Sequence, residues 1–354
     1  MSLKLKKVTR GLKKMVKKKP PKQKDILLIP TGSTTLNLEC SGTIEGAFQA
    51  GKLVNLIGDS SSGKTLVSLS ALAECSIDKK FDNYRLIYDD VEASNEFDLG
   101  ELFGKALLKR LELKYRSRTI EDFNDAIARS LDENVPFVYV LDSFDALTSE
   151  AFLEKDTDNR KKREKGNQIT GSYGDGKAKI FSDFCKNRIQ DLKDTKSLLI
   201  IISQTRDNIG FGAKFNPKVR SGGKALKFYS CHEIWLDCTK TIKKGKRVLL
   251  TNVRAKITKN KLTGDRGEAY FPILRNYGID DLDSCITFMI DEGSWSGPKN
   301  SINTKGFVPD KIGNANLLNY LDTNIEKQQE LRLLCQSTYE SILKDLEPNR
   351  KRKY

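Results

Sequence analysis

Four short apolar runs, at 53–57, 85–88, 137–141 and 198–203, recur along the first two thirds of the chain with hardly a polar residue inside them. A strand with one wet face alternates polar and apolar side chains, so runs without alternation predict strands covered on both faces. Stretches with helical spacing lie around them, at about 65–75, 96–111, 119–131 and 177–192. Strand and helix in turn predict an α/β fold with a mostly parallel central sheet. Further β-rich runs follow at 233–238, 247–256 and 269–274, the first two joined by a hairpin turn at Lys243-Lys244-Gly245-Lys246. After Gly278 the character changes. A segment with Gly293-Ser294-Trp295, a Gly/Pro/Asn-rich stretch and a helix at about 325–346 predict a compact appendage. Residues 149–176 are polar, rich in both charges and without period. A connection that long inside a compact domain is a functional loop or a disordered one.

The 354 residues are 38% hydrophobic and 31% charged, a balance that buries a sizeable core and excludes wholesale disorder. The apolar runs, 198–202 and 26–29 among them, fall far below the roughly 20 residues of a spanning helix, so no membrane partner is expected. The formal charge of +15 is unevenly placed: residues 1–24 hold ten Lys, one Arg and no acid, and Arg350-Lys351-Arg352-Lys353 adds four more cations. The stretch between is neutral. Basic tails on a neutral body suit an electrostatic grip on a polyanion, or simply confer solubility. In the first tail Leu5, Val8, Leu12 and Met15 or Val16 recur at helical spacing before Pro20-Pro21, an amphipathic arm for a neighbouring subunit, a membrane surface or DNA. Seven cysteines without a CxxC pair, and no secretory segment, predict reduced thiols and a cytoplasmic location. One histidine, His232, leaves no histidine-based triad. The expected organisation is a basic arm (1–25), a core (26–280), a small C-terminal α/β domain (281–346) and a basic tail (347–354).

Gly58-Asp59-Ser60-Ser61-Ser62-Gly63-Lys64-Thr65 matches the phosphate-loop pattern, between an apolar strand and an apolar helix. Glycines let backbone N–H groups wrap phosphates, Lys64 reaches the outer phosphates, and the Thr65 hydroxyl suits magnesium. Asp142 ends the run 137–141, at the strand edge where such sheets bind ligands, and is the natural second holder of the metal. An Asp there also serves as a helix cap. Asp89-Asp90-Val91-Glu92 follows the second strand at the same edge, and Glu92 is the preferred base for activating water, although sequence alone does not choose among the three carboxylates. Gln204, closing another strand, either senses the terminal phosphate or only ends the run.

Together these residues resemble the RecA family of recombinases, over nearly the whole chain. Residues 29–36 look like the family's opening segment, followed by the phosphate loop, Glu92 and Asp142-Ser143. More specific are Gln204-Thr205-Arg206-Asp207-Asn208-Ile209-Gly210, leading to Ser221-Gly222-Gly223-Lys224-Ala225-Leu226-Lys227-Phe228-Tyr229, and Lys259-Asn260-Lys261. The resemblance implies ATP and Mg2+ as cofactors, with Lys64 on the phosphates and Thr65 and Asp142 on the metal. It implies that Glu92 activates water, that Gln204 couples the terminal phosphate to DNA, and that Lys259 and Lys261 complete a neighbour's site in a filament. A first DNA loop at 171–176, with Tyr173 and the helix lysines Lys179 and Lys186, and a second at about 207–224, with Arg206, Ile209, Gly222, Gly223 and Lys224, are implied as well. Arg254 and Lys256 match a second site for the duplex.

Two features depart from the family pattern. The segment 149–171 is longer and more charged, with Gly174 where an apolar wedge is expected, and the chain ends in basic rather than acidic residues. The resemblance implies a DNA-dependent ATPase that filaments on single-stranded DNA and exchanges strands with homologous duplex DNA, in a bacterial or phage-infected cell, with single-strand-binding or loader proteins as helpers. Two other readings share the core: a ring-forming helicase-type motor, and a mediator that binds ATP and DNA without turnover.

Overall fold

The computed structural model describes residues 26–93, 98–113, 116–165, 176–207, 218–220 and 223–350. Strands β1 (Leu28–Ile29) and β2 (Phe48–Gln49) form a small antiparallel pair that flanks helix α1 (Thr34–Ser41). The phosphate loop joins β3 (Leu53–Gly58) to α2 (Lys64–Ile77). Then come β4 (Arg85–Asp90), α3 (Leu99–Arg110), β5 (Leu111–Glu112), α4 (Ile120–Asp132), β6 (Phe137–Asp142), α5 (Glu150–Glu164), α6 (Lys177–Asp194) and β7 (Leu198–Asp207). The chain continues through β8 (Lys218–Arg220), α7 (Gly223–Tyr229), β9 (His232–Lys244), β10 (Arg247–Asn260), β11 (Glu268–Leu274) and β12 (Gly278–Ile279). It closes with α8 (Asp281–Asp291), α9 (Asn314–Asp322) and α10 (Ile325–Asp345).

One sheet runs β12-β11-β10-β9-β3-β7-β6-β4-β5, with β8 on β7. The pairs from β9 through β5 are parallel and those from β9 to β12 antiparallel. The lack of polar alternation now has its cause. On β6, Val138 and Val140 pack into the cluster that holds Val67, Leu69 and Leu72 of α2. Phe137, Tyr139 and Leu141 pack on the opposite face with Phe123 and Ile127 of α4 and Phe181 and Phe184 of α6. Helices cover both faces, so every position of the strand is buried. Helix α4 starts where sequence expects it, because Thr119 and Asp122 form a reciprocal capping box.

A third cluster, from Leu282 to Tyr339, also takes in Leu38 of α1. Its junction with the core is polar: Asp281 accepts from Thr34 N at 2.6 Å, Thr34 Oγ1 at 2.9 Å and Arg332 Nε at 2.9 Å. Beside its three helices, this segment's β structure consists of isolated bridges.

The aperiodic stretch from 149 contains α5, a fifteen-residue helix capped by Ser149, with no buried residue. An apolar period appears when a helix buries one face, and α5 buries no side chain among the described residues. Strand β7 extends past the apolar run to Asp207, and β9 extends past Cys238 to Lys244, through residues too polar to be read as strand. No helix among the described residues is long and apolar enough to cross a membrane.

Candidate nucleotide and nucleic-acid site

The loop between β3 and α2 depends on glycine at two points. A Cβ on Gly58 would stand 2.5 Å from the Leu236 carbonyl oxygen, and Gly63 has φ +92 with Ile273 Cδ1 only 2.8 Å from where its Cβ would be. Within this turn the Lys64 ammonium donates to the Asp59 carbonyl at 2.6 Å and lies 3.4 Å from Ser62 Oγ. Burial lowers its pKa, while Asp142, Asp59, Glu92 and Asp145 pull the other way. A half-desolvated cation in a backbone cradle at a helix start is poised for an anion.

Thr65 Oγ1 donates to Asp142 Oδ2 at 2.6 Å, and Tyr88 OH donates to the same oxygen at 3.0 Å. Burial raises the Asp142 carboxyl, against the two hydroxyl hydrogen bonds. A hydroxyl and a carboxylate beside a phosphate cradle are hard oxygen donors, the set that fits Mg2+.

The acidic cluster after β4 separates by environment. Asp89 is fully buried and accepts from Ser117 N at 3.0 Å, Ser117 Oγ at 2.6 Å and Tyr139 OH at 2.6 Å. Asp90 is 9% exposed, in register with Asp142. Glu92 alone is exposed. Its Oε1 accepts from Ser143 Oγ at 2.7 Å and Gln204 Nε2 at 2.9 Å. Gln204 stands opposite Gly58 across the β3–β7 pair, and its N–H donates to Asp145 at 2.7 Å. Ser143, read in sequence only as part of the Asp142-Ser143 strand end, and Asp145, which sequence reading passed over, thus tie β6 to this cluster. Their only sequence signal is position just past the Asp142 strand end.

Lys259 and Lys261 lie elsewhere. Lys261 Nζ donates to the Phe228 carbonyl at 2.8 Å, and Lys259 Nζ donates to the same oxygen at 2.9 Å and to the Lys227 carbonyl, closing the end of α7. Burial, then the Lys261 ammonium, bring Lys259 down to about 8. Lys259 and Asn260 pair with Glu233 and His232, which stand beside Asn55 and Val54. That is three and four residues, about 10–13 Å along the strand, from Gly58. Within one chain they sit at the opposite edge of the sheet from the phosphate loop.

Of the residues read as DNA-binding, Lys179 is exposed near the start of α6, and Lys186 is paired with Asp183 at 2.9 Å. Arg206 is 70% exposed and 3.7 Å from Asp145. Lys224 is exposed on α7, next to Gly223, whose carbonyl accepts Arg220 Nη2 at 2.9 Å. Arg220 in turn pairs with Glu233 at 2.8 Å. Arg254 is held by Asp237 at 2.9 Å and Glu268 at 3.8 Å, and Lys256 by Glu268 at 3.4 Å. Lys256 is nonetheless exposed, and further exposed cations of that hairpin, Lys240, Lys243, Lys244, Lys246 and Arg247, lie toward its tip. Tyr173, Ile209 and Gly222, with the arm at 1–25, lie outside the described residues.

Comparison with known proteins gives a consistent picture. The RecA N-terminal domain family matches residues 2–280. Protein RecA of Azoarcus sp. (strain BH72) is 30% identical over 284 residues, 77% of this chain and 75% of that protein. The mitochondrial DNA repair protein recA homolog of Dictyostelium discoideum is 28% identical over 340 residues, 90% of this chain and 63% of that protein.

Proposed function

The chain belongs to the RecA family, and on that premise we propose that it is a DNA-dependent ATPase of recombination and repair that filaments on single-stranded DNA and exchanges strands with homologous duplex. The observation that carries this reading is the contact between Glu92 and Gln204. One residue sits at the mouth of the phosphate loop, and the other stands on the strand that runs out toward the segment 208–222. A single hydrogen bond therefore links the group suited to hydrolysis with the strand suited to DNA.

In this reading backbone N–H groups of Gly58–Thr65 and the Lys64 ammonium hold the phosphates. Magnesium, held by Thr65 and Asp142, neutralises phosphate charge when bound. Glu92 accepts a proton from the attacking water, oriented meanwhile by Ser143. Gln204 leaves Glu92 for the terminal phosphate, and the shift is felt along β7 by the DNA loop. Lys259 and Lys261, remote from their own phosphate loop, serve the adjacent subunit, adding positive charge to the transition state only after assembly. The glycine-rich segment 171–176, with Lys179 and Lys186 on the helix behind it, and the basic segment 207–224 grip the strand backbone without reading bases.

Replacing Glu92 by Gln is the direct test. The variant is expected to bind single-stranded DNA as the wild type does and to lose at least about 100-fold in DNA-stimulated turnover. A loss smaller than about threefold would remove Glu92 from the catalytic role and favour a protein that binds without hydrolysis.

A further inference from the structure

Asp59, the second residue of the phosphate loop, makes contacts that phosphate binding does not require. Its carboxylate accepts from the Thr205 hydroxyl on one oxygen and from the Lys218 ammonium on the other. Its main-chain carbonyl accepts Lys64 Nζ at 2.6 Å. Thr205 and Lys218 stand on β7 and β8, whose antiparallel pairing, Thr205 opposite Arg220 and Asp207 opposite Lys218, closes the foot of the segment 208–217. One loop residue therefore holds the phosphate cation through its backbone and both strands of that foot through its side chain.

The ion pair is made to be broken. Lys218 and Asp59 are 44% and 48% exposed, and an exposed pair holds weakly and is screened by salt. The Lys218 hydrogen bond, followed by that of Thr205, holds the Asp59 carboxyl below its ordinary range, and the same pairing raises Lys218. Both groups are charged at neutral pH. A triphosphate entering the loop sets several negative charges against the Asp59 carboxylate and draws Lys64 away from the Asp59 carbonyl. The added negative charge repels the Asp59 carboxylate and so weakens the hold on Lys218. Once released, Lys218 still faces Asp207 and Asp237, but no carboxylate is bonded to it.

We propose that Asp59 and Lys218 form a nucleotide-sensitive latch, in which the pair masks Lys218 in the empty protein and ATP binding frees it for a DNA phosphate. This rests on the assignment of ATP to 58–65 and DNA to the segment after β7. It adds a route from nucleotide to DNA that works through charge, beside the hydrogen-bond route through Gln204. Phosphate-loop glycines alone give no hint of it, since it needs an acid at position 59 and a base at 218.

The test is binding of a labelled single-stranded oligonucleotide by anisotropy, across a salt series, without nucleotide and with a non-hydrolysable ATP analogue and Mg2+. Lys218→Met is expected to lower the salt slope by about one in the analogue-bound state and to leave the nucleotide-free slope unchanged. Asp59→Asn keeps an acceptor for Thr205 but loses the charge, and is expected to tighten nucleotide-free binding about two- to fivefold, the size of an exposed pair. Melting curves establish that each variant is folded. A Lys218→Met effect equal in both states, or absent from both, overturns the latch. Wild-type binding that ignores the analogue overturns the ATP-and-DNA reading itself, and the latch with it.

Discussion

Two carboxylates three residues apart do opposite things. Asp89 is spent on the fold, holding Ser117 of the segment before α4 and Tyr139 of β6, whereas Glu92 reaches water and meets Gln204. Asp89→Ala strands a buried N–H and two hydroxyls, and is expected to destabilise the protein by about 2–4 kcal/mol in urea denaturation. Glu92→Gln should stay within about 0.5 kcal/mol of the wild type. Equal effects would contradict the division. Sequence alone left these two and Asp90 unresolved, because their difference is burial, which depends on which face of β4 meets α4. Lys64, Thr65 and Asp142 were legible, since the phosphate loop is built by consecutive residues and Asp142 by a strand end. The second role of Asp59 was not, because its partners Thr205 and Lys218 come from strands far along the chain.

Elements that pack on two sides announced themselves, and those that pack on none did not. Strands β3, β4, β6 and β7 were legible as apolar runs, while α5 and the polar outer part of β7 carry no period to read. Helix α1 shows how packing between elements becomes a pH dependence. Glu39 on α1 lies against Gly267, and burial, then Glu292 and Asp265, push its carboxyl up to about 7 from 4.5. Between those values the native protein keeps a proton that the unfolded chain has released, so the stability Glu39 contributes is full below about pH 4.5 and lost as pH rises through about 7. Buried His232, lowered by burial from 6.5 to about 4, opposes it: its contribution is present above about pH 6.5 and lost as pH falls toward 4. Glu39→Gln is therefore expected to gain stability over the wild type progressively from pH 4.5 to 7, followed by urea midpoints. A difference that stays constant across that range would contradict the assignment.

At the scale of the molecule, the phosphate loop and Glu92 stand at one edge of the sheet, while Lys259 and Lys261 stand at the other. In the function proposed above, a filament reconciles the two by bringing one subunit's far edge to the next subunit's near edge. In the same proposal, the basic tails at 1–24 and 350–353 add long-range attraction to a polyanion on an otherwise neutral body. The central claim is that ATP held at this loop drives DNA pairing, and strand exchange between homologous single-stranded and duplex DNA measures it most directly. The account predicts joint molecules with wild-type protein and ATP, and none without nucleotide or with Lys64→Ala. Joint molecules formed equally well by Lys64→Ala, or DNA-stimulated ATP hydrolysis by the wild type with no joint molecules at all, would contradict it.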